Sequence, residues 1–169
     1  DGSTNAIFEQ NSFNRFTRYS NNLKLGMDYY LSSKTTLGIT LGGFYNRSTE
    51  NGENTSYLKS PANITDSIVY ATYSEKNTWK NGQVNLYLQH RFDSTGREIN
   101  TNLDYIVYNS TNFQHFTNET FTPQWVKKYD EPLQGDLPGK IEIYSVKADY
   151  THPLSSKGKL DIGWKSGFV

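Results

Sequence analysis

Histidine, carboxylate, cysteine and serine are the side chains that most often carry chemistry, and their spacing here supports none. His90, His115 and His152 stand in different segments, without the close spacing that a metal site needs. His90 and His152 fall near strand ends on apolar faces, where a place at a water–apolar interface beside aromatic rings accounts for them. Asp and Glu are scattered, so a paired-carboxylate glycosidase has nothing specific behind it. No GxSxG, Walker or dinucleotide motif occurs. The chain has no cysteine, which removes disulfides, thiolate metal sites and cysteine catalysis together. The expectation is therefore no enzyme, no catalytic residue, no metal and no cofactor.

Aromatic residues are the remaining candidates for recognition. Phe113, His115, Phe116, Phe121, Trp125 and Tyr129 lie among Asn and Thr in one stretch of the chain. Flat rings with amide and hydroxyl neighbours suit sugars and peptides. Phe121, Trp125 and Tyr129 are the candidate ligand-binding residues, with Trp125 foremost for its large ring and single polar handle. The competing expectation is that these rings form a small core of their own segment. Gly42-Gly43 reads as a bulge or barrel corner, not a phosphate cradle. Asn-x-Ser/Thr sequences at Asn46, Asn54, Asn63, Asn109 and Asn118 are expected by chance in a chain so rich in these residues.

The elements that would hold these residues are strands. The 169 residues fit one domain, and only 34% are hydrophobic, while 15% are aromatic, with 13 Tyr, 9 Phe and 3 Trp. So many rings argue against disorder. Seventeen basic residues balance 17 acidic ones, so nucleic acid is not an expected partner. No apolar run reaches the ~20 residues of a membrane helix, and no signal peptide opens the chain. Instead, apolar residues alternate with polar ones, the period of a strand with two unlike faces. Leu23, Leu25, Met27, Tyr29 and Leu31 alternate with Lys24, Gly26 and Asp28. Val84, Leu86, Leu88, His90 and Phe92 alternate with Asn85, Tyr87, Gln89 and Arg91; Ile99, Leu103, Tyr105 and Val107 alternate with Asn100, Asn102 and Asp104. Tyr144, Val146, Ala148 and Tyr150 return as Leu160, Ile162 and Trp164.

These runs predict three antiparallel hairpins turning near Ser33, Thr95 and Ser156. Strands are expected roughly over 22–46, 82–108 and 141–169, with long loops roughly over 47–81 and 109–140. Ile68-Val69-Tyr70-Ala71-Thr72-Tyr73 could add further strand inside the first loop. The fold class is all-β, an antiparallel meander of hairpins forming part of an outer-membrane-type β-barrel. Short turns at one end and long connections at the other are the arrangement of such a barrel, with apolar residues toward lipid and polar ones toward the lumen. The alternative is a soluble, lectin-like β-sandwich binding module.

The stretch from Asn85 to Glu98 resembles a strand–turn–strand of the outer-membrane β-barrel family related to TonB-dependent receptors. So does the hairpin Asp149-Tyr150-Thr151-His152-Pro153-Leu154 returning as Leu160-Asp161-Ile162-Gly163-Trp164-Lys165. The resemblance covers most of residues 22–169. It implies a bacterial outer-membrane location, a barrel of about 22 strands, a preceding plug and regulatory domain, and nutrient uptake energised by TonB through regions outside this chain. Outer-membrane lipid is then the expected partner, and an isolated six-strand fragment is expected to self-associate.

Overall fold

The computed structural model describes residues 6–155 and 158–169. Six strands follow one another: β1 (Ile7–Ser32), β2 (Thr35–Lys59), β3 (Thr65–Arg91), β4 (Glu98–Phe121), β5 (Lys127–Ser155) and β6 (Gly158–Phe168). They lie side by side in a single sheet in chain order. This is an all-β antiparallel meander whose described strands do not close on themselves. All six strands share one sheet, which differs from the two facing layers a sandwich requires.

The strands run much further than hydrophobic alternation indicates. Lengths of 25, 27 and 24 residues for β2, β3 and β4 are more than twice the ~9–11 that cross a bilayer. The stretches 47–81 and 109–140, expected as long loops, are strand almost throughout, with only short connections at 60–64 and 122–126. Strand also begins at Ile7, ahead of the expected start near 22. Alternation reports a strand only where one face is apolar. In these extensions Asn, Thr, Ser and Glu share the chain with Tyr and Phe, so the period is lost while strand propensity remains.

The chain divides into two compact units. One comprises residues 20–45, 79–109 and 139–169; the other comprises residues up to 19, 46–78 and 110–138.

The first unit holds the short turns. The turn at Ser33-Lys34 meets the next strand pair, because Arg91 donates its amide to the Lys34 carbonyl at 2.8 Å and Lys34 Nζ reaches the Phe92 carbonyl at 3.1 Å. Asp93 to Gly96 form the second turn, with Gly96 in the left-handed region at φ 97° as glycine readily allows. β5 and β6 pair from Tyr144 opposite Phe168 to Ser155 opposite Gly158. Ser156, where the third turn is expected, lies outside the described residues together with Lys157.

Two glycines of β2 in this unit are overlaid by side chains of β3. A Cβ on Gly38 would sit 1.9 Å from the Tyr87 ring, and one on Gly42 would sit 2.7 Å from the Gln83 amide. Tyr87 thus crosses Gly38 and donates its hydroxyl to Asp28 of β1 at 2.7 Å. At Gly43 the close neighbour is backbone: the Asn81 carbonyl oxygen would lie 2.5 Å from a Cβ. Gly42-Gly43, expected as a bulge or barrel corner, is a place where side chain and backbone of β3 approach β2 closely.

The second unit shows the same device. The Tyr73 ring lies where a Cβ of Gly52 would be, and its hydroxyl donates to Glu50 at 2.7 Å. Ile68 and Ser56 are buried here.

Candidate functional site

The first unit presents two unlike surfaces. Residues opposite one another in antiparallel strands share a face. The β5–β6 register therefore groups Val146, Ala148 and Tyr150 with Trp164, Ile162 and Leu160, and Lys147, Asp149 and Thr151 with Lys165, Gly163 and Asp161. Across β3–β5 the polar side chains bond to each other. Asn85 Nδ2 donates to Asp104 Oδ1 at 2.6 Å, and Ser145 Oγ donates to Asp104 Oδ2 at 2.8 Å. Lys147 pairs with Asp149, and Lys159 pairs with Asp161.

On the other face Tyr105 donates to Glu142 at 3.2 Å, and most of the apolar side chains stand in the open. Met27 is 66% exposed, Leu103 49% and Ile162 56%. Shallow grooves run between Val84, Leu86, Leu103, Tyr105 and Val146. At about 25 cal/mol per Å² of apolar surface, leaving such a face in water is costly, whereas hydrocarbon chains would cover it.

Aromatic and imidazole rings gather at the short-turn end of this unit. His90 packs edge-on against Phe92 with centroids 4.8 Å apart, Phe92 meets Tyr150 at 6.1 Å, and Tyr150 meets His152 at 6.0 Å. His90 Nδ1 is hydrogen-bonded to Thr35 Oγ1 at 2.8 Å, and His152 Nδ1 to the Tyr150 hydroxyl at 3.1 Å. Arg97 stacks over Phe92. A belt of amphipathic rings beside strand ends is what a bilayer interface favours. Among the described residues no group of three or more His, Cys, Asp or Glu is placed to hold a metal.

The second unit carries the hairpin tip with two of the candidate ligand residues. Phe121 ends β4 and Trp125 sits in the turn, their ring centroids 5.3 Å apart. Tyr129 follows on β5 and is more than half exposed. The tip is a three-residue loop closed by its own groups. Thr122 donates its amide to the Val126 carbonyl at 2.9 Å, Trp125 donates to the Thr122 carbonyl at 2.9 Å, and Val126 donates to Thr122 Oγ1 at 3.2 Å.

The β2–β3 tip repeats this arrangement. Ser60 donates to the Ile64 carbonyl at 2.8 Å, Asn63 to the Ser60 carbonyl at 2.9 Å, and Ile64 to Ser60 Oγ at 3.3 Å. Ser60-Pro61-Ala62-Asn63-Ile64 and Thr122-Pro123-Gln124-Trp125-Val126 are one turn pattern, hydroxyl-Pro-x-x-branched aliphatic. Proline presets the first turn residue, and the fourth position takes the left-handed conformation. Asn63 and Trp125 both have φ 61°. Asn tolerates this region; a bulky ring does so at a cost of about 1–3 kcal/mol.

Hydrogen bonds to carboxylates tune several groups in this unit. The Tyr73 hydroxyl is held protonated above its usual value, chiefly by its bond to Glu50, and Tyr70 likewise by its bond to Glu53. The Lys127 ammonium is raised by its bond to Glu119 at 2.7 Å, with Asp130 adding to the same effect from 3.5 Å.

Sequence alone does not single out the paired tips. Their shared five-residue pattern was the available signal, hidden inside segments whose polar composition reads as loop.

Residues 90–169 match the outer membrane protein beta-barrel family. The match spans just under half the chain, from the end of β3 through β6. It supports an outer-membrane β-barrel protein located in the bacterial outer membrane. No curated protein matches the chain. Among solved structures, the membrane pore complex of pneumolysin is similar at 12% identity with a TM-score of 0.16, over 85% of this chain. This chain spans 32% of that one's length, and so slight a likeness carries no argument about fold or function.

Proposed function

We propose that this protein forms part of the wall of an outer-membrane receptor barrel that takes up a nutrient with energy from a TonB system. The observation that carries the barrel reading is the first unit's open apolar face, backed by a hydrogen-bonded polar face. Lipid would cover the first and an aqueous lumen the second. The receptor reading has narrower support, namely the sequence resemblance of the hairpin of Asp149 to Leu154 and Leu160 to Lys165 to barrels related to TonB-dependent receptors; its register sets Asp149 opposite Gly163. An Asp149 oxygen lies 2.8 Å from where a Cβ of Gly163 would be, so the glycine makes room for the carboxylate. Without lipid, the same apolar face would drive copies of the chain to associate.

Growth on single nutrient sources tests the receptor reading. A strain lacking the protein and a strain lacking TonB are expected to fail on the same nutrient. Failure of the first strain with normal growth of the second would contradict energised uptake.

A further inference from the structure

The two hairpin tips are built alike yet filled differently at the position that matters most. Asn63 occupies the left-handed position of one tip, where Asn is among the residues best suited to it. Trp125 occupies the same position of the other, where a ring this large is a backbone outlier. The turn does not need the indole, because the Asn63 tip closes with the same three hydrogen bonds. Nor does the indole fill a core, since 49% of Trp125 remains exposed. Strain kept at an exposed residue points to a role outside folding.

We propose that the β4–β5 tip binds a neutral sugar ring, stacked on Trp125 with Phe121 behind it. Phe121 contacts the indole at 5.3 Å between centroids and limits its orientations, which leaves the exposed indole surface as a platform for the apolar face of a sugar. Lys127 is bound to Glu119 and lies 3.5 Å from Asp130, so its charge is already balanced, while Lys128 beside it in the chain is exposed. The amides of Thr122, Trp125 and Val126 are all used within the turn, so a peptide backbone finds few partners there. Gln124, the preceding residue of the turn, is exposed and supplies an amide for hydroxyl groups. The site deepens the receptor reading by naming the class of molecule its exposed tip would take.

The test is a titration of the full chain, in detergent micelles, with neutral hexasaccharides of glucose, mannose, xylose and N-acetylglucosamine. Calorimetry measures binding, and thermal unfolding is recorded beside it. At least one sugar is expected to bind. Trp125→Asn, which copies the twin tip, is expected to weaken that binding at least about tenfold while unfolding at the same or a higher temperature. Trp125→Phe, which keeps a ring at the same backbone cost, is expected to retain binding within a few fold. Absence of binding to every sugar overturns the proposal, as does unchanged binding in Trp125→Asn. Lowered stability of Trp125→Asn with faster proteolysis of 109–140 would assign the ring a structural role and also overturn it. Heat-modifiable migration on gels, measured on the same sample, reports the barrel reading separately, so the two can fail independently.

Discussion

Asp93 organises the β3–β4 turn by accepting hydrogen bonds from both the hydroxyl and the amide of Thr95. These bonds, hydroxyl first, hold its carboxyl below the ordinary value of 3.8, and Arg97 at 2.8 Å adds to the effect. A carboxyl depressed on folding contributes stability above its unfolded value and loses it as pH falls through the folded one. Asp93→Ala is therefore expected to destabilise the chain near neutral pH, and the difference from the parent should shrink as pH falls below the ordinary carboxyl value. Denaturant melts of both proteins across that range check it; a difference independent of pH would show that Asp93 acts without its charge. Gly38 offers a second residue-scale test. Gly38→Ala places a methyl inside the Tyr87 ring and should cost about 1–3 kcal/mol, with the Tyr87–Asp28 bond lost. Combining it with Tyr87→Ser should cost less than the two changes added together. Strict additivity would mean that the ring moves aside freely.

At the scale of elements, the apolar faces were legible because alternation needs only one apolar side. Leu103 and Tyr105, or Val146 and Ala148, declare their face in the bare sequence. The extensions of β2 to β5 were legible only at Ile68–Tyr73, whose branched and aromatic residues favour strand; elsewhere both faces carry polar residues and Tyr, and no period survives. The tips were hidden for the same reason: Pro61 and Pro123 mark turns, but within segments already read as loop. Of the candidate residues, Phe121 and Trp125 do meet, while Tyr129 continues along β5. The tips themselves make a prediction. Thr122→Ala removes the acceptor for the Val126 amide and should weaken the β4–β5 tip by about 0.5–1.5 kcal/mol. Ser60→Ala should do the same at the β2–β3 tip. Amide exchange at Val126 and Ile64 reads each locally, and unchanged protection at either would remove the hydroxyl from that turn.

For the whole molecule, the barrel reading requires the apolar face of the first unit to meet lipid. Leu103→Lys should impair membrane assembly by about 2–4 kcal/mol if the site is near the midplane, whereas Asn102→Lys, on the hydrogen-bonded face, should be tolerated. Heat-modifiable mobility of both variants gives the comparison. The most direct measurement uses the absence of cysteine from the chain. Single cysteines placed in turn at Thr101, Asn102, Leu103, Asp104 and Tyr105 are exposed, in outer-membrane vesicles carrying the protein, to a water-soluble and to a lipid-soluble thiol reagent. Strict alternation is expected, with positions 102 and 104 labelled from water and positions 101, 103 and 105 labelled from lipid. Equal labelling of neighbouring positions, or the opposite phase, would contradict it.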